Sequence, residues 1–168
     1  MGVRDLLRRV FGFGSSGSGA QAYPDAPLTA LLHADRINDT AATEQAIDDF
    51  LPQCTLGFRI VNAPATLQPG KGTYTTKPGD NMKLGMINGP NGEIMLLAYA
   101  DPELWIPKRP DLLPLAGLTG LLACQMIRDQ NHDGLWINVL PDFSYLIHKE
   151  RILKILEHAN ADSGQQKA

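Results

Sequence analysis

The sequence predicts an α+β fold: a single domain in which a mixed, mostly antiparallel sheet is flanked by helices. Three observations predict it. "TLGFRI" (55–60) and "LWINV" (135–139) alternate with the period of two that marks a strand. "MKLGMIN" and "EIMLLAY" are joined by "GPNG", a hairpin signal in which Asn91-Gly92 supplies the turn. Apolar residues recur at helical spacing near Leu28, across 42–50, across 117–129 and across 152–159. A chain of 168 residues is long enough for one sizeable core and short for two.

Residues 1–13 form a short amphipathic segment. Val3, Leu6, Leu7, Val10 and Phe11 fall on one helical face, with Arg4, Arg8 and Arg9 largely off it. So short a helix needs a surface to lie on, and anionic lipid, a partner groove and the protein's own body all qualify; the alternative is a frayed terminus. Its charges interrupt any signal-peptide core, and Leu6 stands where a myristoylation motif wants Ser or Thr. Residues 14–27, "GSSGSGAQAYPDAP", have linker composition.

The folded domain, 28–159, opens on Leu28, Leu31 and Leu32, spaced for a short helix. Asp39 or Thr40 can cap a second one, with Ala42, Ala46, Ile47 and Phe50 inward and Pro52 ending it. The strand that follows sets Leu56, Phe58 and Ile60 against Thr55, Gly57 and Arg59. Residues 62–81 are long for a loop and read as a mobile hairpin or flap, with Lys71, Tyr74 and Lys77 as candidate contact residues. After the hairpin, apolar residues on both faces of 94–99 predict a strand covered on each side. "DPELW" reads as a helical turn capped by Asp101, "IPKRPDLLP" as an irregular connector, and 117–129 as a buried helix. A last helix turns Ile152, Ile155, Leu156 and Ala159 inward, and residues 160–168 read as a disordered tail.

Composition narrows function mainly by exclusion. A net charge of −3 lacks the basic footprint of nucleic-acid binding. Cys54 and Cys124 stand far apart in apolar surroundings, in no CxxC pair, and read as small buried hydrophobes. No apolar run approaches the roughly 18 residues of a transmembrane helix, and a cytoplasmic protein is expected. "PGKGT" only superficially resembles a phosphate loop: Ala65 and Gly72 occupy positions where that loop requires Gly and Ser or Thr. The four histidines show no HxH or HExxH spacing, and the carboxylates are scattered. No cofactor and no metal site is predicted.

"NHDGLWINVLP" (131–141) is the densest run of distinctive residues. Between a helix and a strand, Gly134 can supply positive φ, and Asn131 and Asp133 are turn formers. Leu135, Ile137 and Val139 then face one side, Trp136 and Asn138 the other. A catalytic His132–Asp133 pair would need a nucleophile within reach, and no G-x-S-x-G elbow is present. Recognition by surface aromatics remains, with Tyr74, Trp105, Trp136 and Tyr145 as candidate partner-binding residues.

The order of elements resembles the SseB protein N-terminal domain family over roughly 28–157. The resemblance rests on "LTALLHA", "FLPQCTLGFRIV", "GEIMLLAYADPELW" and, most specifically, "LAGLTGLLACQMIRDQNHDGLWINVLPDFSYLIHKERILKIL". In that last block Asp133, Gly134, Ile137 and Asn138 match the family's DG-hydrophobic-x-hydrophobic-Asn strand. "YAD" replaces the usual F-T/S, and Val139 stands where proline commonly follows the Asn. The resemblance implies a bacterial α+β module without agreed catalytic residues. A role in secretion does not follow from the name the family shares with a translocon protein. The expected function is a non-enzymatic interaction or accessory module with a protein partner. The alternatives are a hydrolase with 62–81 as lid over His132 and Asp133, and a peripheral membrane adaptor acting through residues 1–13.

Overall fold

Strands β1 (Thr55–Arg59), β2 (Met86–Asn88), β3 (Ile94–Ala100), β4 (Leu115–Thr119), β5 (Gly134–Val139) and β6 (Phe143–His148) form one sheet. Its order is β4-β1-β3-β5-β6, with β2 also paired to β3, in a computed structural model that describes residues 26–62, 83–105, 107–108, 114–139 and 143–165. β3 and β5 run parallel, and the other pairs are antiparallel. The helices are α1 (Pro27–Asn38), α2 (Ala41–Phe50), α3 (Pro102–Trp105), α4 (Gly120–Asp129) and α5 (Lys149–Gln165), with a 3-10 turn at Leu51–Gln53. The whole is one α+β domain. Residues 160–165, which the sequence assigns to a tail, continue α5.

Register decides which side chains meet. Leu56, Phe58, Leu96, Ala98, Ala100, Leu135, Ile137, Val139 and Ile147 share one sheet face and are buried there. Against them pack Leu28, Leu31 and Leu32 of α1, Ala46, Ile47 and Phe50 of α2, Ala123, Cys124 and Ile127 of α4, and Ile152, Ile155 and Leu156 of α5. Full burial of one such large side chain stabilises by about 1.5–3 kcal/mol. This seam, more than helix propensity, therefore holds the helices in place. Cys54 and Cys124 are free and buried, as their surroundings in the sequence predict.

The hairpin forms with Met86 opposite Leu96 and Asn88 opposite Ile94. Its turn begins one residue earlier than "NG" implies: Gly92 N–H returns to the Gly89 carbonyl (3.1 Å), and Gly92 has φ +85°. Gly85 joins two strands at once, donating to Arg59 O (2.8 Å) and accepting from Leu97 N–H (3.0 Å). β3 is buried on both faces, with Met95 and Tyr99 covered as well as Leu96 and Ala98.

Two elements differ from the sequence expectation. Residues 117–119 end a strand, and α4 starts only at Gly120. An uncharged run such as "LAGLTGLL" has no polar face to show its period, so helix and buried strand read alike. β6 is the second: Phe143–His148 completes the sheet beside β5. Smaller changes concern side chains. In α2, Thr43 turns inward and Ala42 is exposed, because Thr43 closes a capping box with Thr40. Leu122, in the supposedly buried α4, is 42% exposed.

Asp101 shows how α1 is held. The helix begins after Ala26, whose side chain cannot cap it. Asp101, at φ +44° and almost fully buried, accepts the Thr29 N–H at 2.8 Å through Oδ2. It thus caps α1 from across the fold and gives α3 only its backbone carbonyl, to Leu104 N–H (3.1 Å). Loss of this acceptor in Asp101→Ala should cost about 1–3 kcal/mol. Asp101→Asn keeps an acceptor and tolerates positive φ, and should cost less. Burial raises the Asp101 pKa above its ordinary 3.8, against the lowering effect of the Thr29 bonds. The charged form is therefore disfavoured in the fold, and stability declines as pH rises from 3.8 through the raised value. Urea denaturation across pH should show that decline flattened in Asp101→Asn; equal losses for the Ala and Asn variants would reject the cap.

Candidate functional site

The Asn131–Gly134 corner owes its shape to backbone needs. α4 ends in a Schellman motif: His132 N–H reaches the Ile127 carbonyl (3.0 Å) and Asn131 N–H the Arg128 carbonyl (3.4 Å). The left-handed residue is Asn131, φ +57°, in place of the Gly134 that the sequence suggests. Asparagine tolerates that region because its short polar side chain bonds locally, and Lys149 Nζ donates to its Oδ1. Gly134 serves close approach instead. A Cβ there would stand 2.5 Å from the Ile147 carbonyl oxygen and 3.2 Å from His148 Cα.

Asp133 reaches much farther than a turn former. Its Oδ2 accepts Ile94 N–H (2.7 Å), its N–H donates to Ile94 O (2.9 Å), and its carbonyl accepts Lys149 N–H (2.9 Å). His132 Nε2 lies 3.0 Å from Gln130 Oε1. The two neighbouring side chains are thus engaged with different partners. The remaining residues of the motif continue the pattern: Ile137 is wholly buried, and Asn138 organises a contact described below. Both thiols are pushed up to about 12, burial being the main cause, and Cys54 donates to Leu51 O (3.2 Å). Among the described residues no cluster of His, Cys, Asp and Glu could hold a metal ion.

Polar side chains converge instead between α1, α2, β6 and α5. Asp35, 6% exposed, accepts Tyr145 O–H (2.5 Å) at Oδ2 and Thr43 O–H (2.7 Å) at Oδ1. Arg151 Nη1 donates to the Tyr145 oxygen (3.2 Å), Nη2 to Glu44 O (2.9 Å), and Nε to Asp48 Oδ1 (2.7 Å). Burial raises the Asp48 pKa even though Arg151 pulls it down. The hydroxyl of Tyr145, a partner-binding candidate by sequence, is therefore committed internally. Sequence pattern cannot show such a network, since Tyr145 and Asp35 are far apart in the chain and neither belongs to a motif.

The opposite sheet face carries a different feature. Leu97, Trp136 and Leu146 are cross-strand neighbours on β3, β5 and β6, and each is only partly buried. Trp136 Nε1 donates to Asn138 Oδ1 (3.2 Å), which also accepts Ser144 O–H (2.8 Å). The indole is thereby oriented from within its own strand and from the next. α3 lies on this face too, where a Cβ on Gly57 would meet Pro102 Cβ at 2.8 Å. Trp105 ends α3, but its side chain, like Tyr74 and residues 63–81 of the expected flap and residues 1–13, lies outside the described residues. Among the described residues no helix is long and apolar enough to cross a membrane.

No model of a known protein family matches the chain, and no curated protein or solved structure matches it significantly.

Tyr145→Phe tests the network. It removes the donor to Asp35 and the acceptor for Arg151, and should destabilise by about 1–3 kcal/mol. Burial first, and then the bond to Asp35, raises the tyrosine pKa from 10.0 to about 12. The neutral phenol is favoured in the fold, so its contribution is complete below pH 10 and is lost as pH rises through about 12. Stability measured across that alkaline window should fall more steeply in wild type than in Tyr145→Phe. Parallel curves would contradict the assignment.

Proposed function

We propose that this chain is a non-enzymatic protein-interaction module of the SseB N-terminal-domain type, binding a protein partner through the row Leu97–Trp136–Leu146. The observation that carries the reading is the row itself. A tryptophan held by Asn138 and flanked by two aliphatic side chains, all partly exposed, has the make-up of a binding hot spot. Its rim is polar, supplied by Asn138 and Ser144. The groups that would have to act in a hydrolase support the same reading. His132 pairs with Gln130, Asp133 with the backbone of Ile94, and the thiols are protonated at neutral pH. Support for the SseB type comes from Asp133, Gly134, Ile137 and Asn138. Each holds a position with a physical reason: a strap, a close approach, a core contact and an indole clamp.

Affinity capture with the full chain, followed by mass spectrometry, tests the proposal. Trp136→Ala should weaken recovery of the partner by about tenfold or more, while His132→Ala leaves it unchanged. Equal capture by wild type and Trp136→Ala, with both folded by circular dichroism, would reject the row. Hydrolytic turnover that disappears in His132→Ala or Asp133→Asn would reject the non-enzymatic reading.

A further inference from the structure

We propose that the outer edge of β4 is a self-association surface, where a second copy of this chain adds its own β4 antiparallel and joins two sheets into one across a twofold axis. The inference is independent of the row on β3, β5 and β6, because it rests on a different strand.

β4 is the terminal strand, paired among the described residues with β1 alone. Its register shows where the backbone groups point. Ile60 N–H donates to Pro114 O (3.0 Å) and Gly120 N–H to Cys54 O (2.9 Å). With Leu56 opposite Leu118 and Phe58 opposite Ala116, alternate residues 114, 116, 118 and 120 direct their backbone groups to β1. Leu115 and Gly117 consequently direct theirs away from the sheet, as Thr119 does its N–H, its carbonyl being taken by the helix it caps. Gly117 and Thr119 are exposed.

Soluble proteins usually blunt such an edge with charges, a bulge or a proline. Among the described residues none of these protects β4. From Leu112 to Ile127 the sequence contains no Asp, Glu, Lys or Arg. All five β4 residues pair in unbroken register, so no bulge twists the edge away. Pro114 does not blunt it either, because the N–H it lacks would have pointed to β1. The other edge differs: β6 leads into Lys149 and Glu150, and the Arg36 guanidinium sits 4.6 Å over the Phe143 ring.

A second copy is the occupant this edge fits. Gly117 can pair with Gly117 of the other copy, each donating and accepting in return, and the Thr119 N–H of each copy can donate to the Leu115 carbonyl of the other; the Thr119 carbonyl stays with the helix it caps. Two uncharged strips meet without bringing like charges together, although each chain carries −3 overall. Leu118 and Leu121 are partly buried against the core, and Leu122 is 42% exposed, which places apolar surface beside the new backbone bonds. A twofold axis midway between the two Gly117 residues, perpendicular to the sheet, leaves both helix layers on the same side.

Sedimentation velocity on the full chain, with amide exchange at low and high concentration, tests the proposal. The expected result is a species of twice the 18.3 kDa chain mass, with exchange at Gly117 and Thr119 slowing as concentration rises. Gly117→Pro removes an outward N–H and no bond to β1, and a Cβ there meets Thr55 Cγ2 at an ordinary 3.4 Å. It should weaken the dimer by about tenfold or more. Leu122→Lys changes only an exposed side chain, should weaken the dimer similarly, and decides alone if the proline variant fails to fold. A wild type monomeric at every soluble concentration overturns the proposal. So does a dimer whose affinity neither folded variant changes, or one whose β4 amides exchange independently of concentration.

Discussion

Asp133 bonds to Ile94 through both its carboxylate and its main chain, and to Lys149 through its carbonyl. These bonds fix the first residue of β3 against the entry to β5 and against the start of α5. The contact matters because β3 and β5 are parallel, and no hairpin can set the register of a parallel pair. Between them the chain crosses to β4 at the far edge and returns through α4. A slip of one residue would turn Leu135, Ile137 and Val139 away from the helices and send Trp136 into the core. With the register held, β6 follows by antiparallel pairing, and the aliphatic row on one face and the tryptophan on the other fall into place. Gly134 is part of the same constraint, since β6 backbone occupies the space a side chain would need.

The helix layer is aligned by buried polar groups as well as by its apolar seam. Asp101 supplies the cap that Ala26 cannot, and Asp35 gathers a hydroxyl from α2 and another from β6. Burying a carboxylate is costly unless donors meet it. Both aspartates have such donors, and their bonds have strict direction. A leucine face can slide along another leucine face with little penalty; an aspartate bonded to a specific N–H or hydroxyl cannot. The apolar contacts therefore supply most of the stabilisation, while Asp35 and Asp101 restrict where α1 can sit.

Legibility in the sequence tracked the range of the interaction. The Thr40 cap, the 86–100 hairpin and the two faces of β5 depend on near neighbours, and each could be read from spacing. Gly134 was readable as a required glycine but for the wrong reason. Positive φ is a local property, and Asn131 already provides it; the true cause is a strand that arrives 13 residues later in the chain, at Ile147. Asp101 looked like the cap of the helix beside it, because chain proximity hides the N–H of Thr29, 72 positions away. The Asp35–Tyr145 bond spans 110 positions and had no signal at all. β4 was obscured differently: its uncharged composition removes the alternation that would distinguish strand from helix. The same lack of charge leaves its edge unguarded.

Strand order keeps the two proposed surfaces apart. The row Leu97–Trp136–Leu146 occupies β3, β5 and β6, while β4 lies on the other side of β1. Edge pairing at β4 uses backbone groups in the plane of the sheet, whereas the row projects from one face. Self-association thus leaves the row accessible on both copies and, by twofold symmetry, on the same face of the joined sheet. A partner with two matching sites would then bind the second as an intramolecular event, gaining avidity without any new contact. A module with one modest aromatic patch becomes a stronger ligand by doubling than by enlarging that patch, which would expose more apolar surface in the free protein. On this view the neutral edge and the partly buried tryptophan answer one physical demand: useful affinity from small, separately tolerable patches.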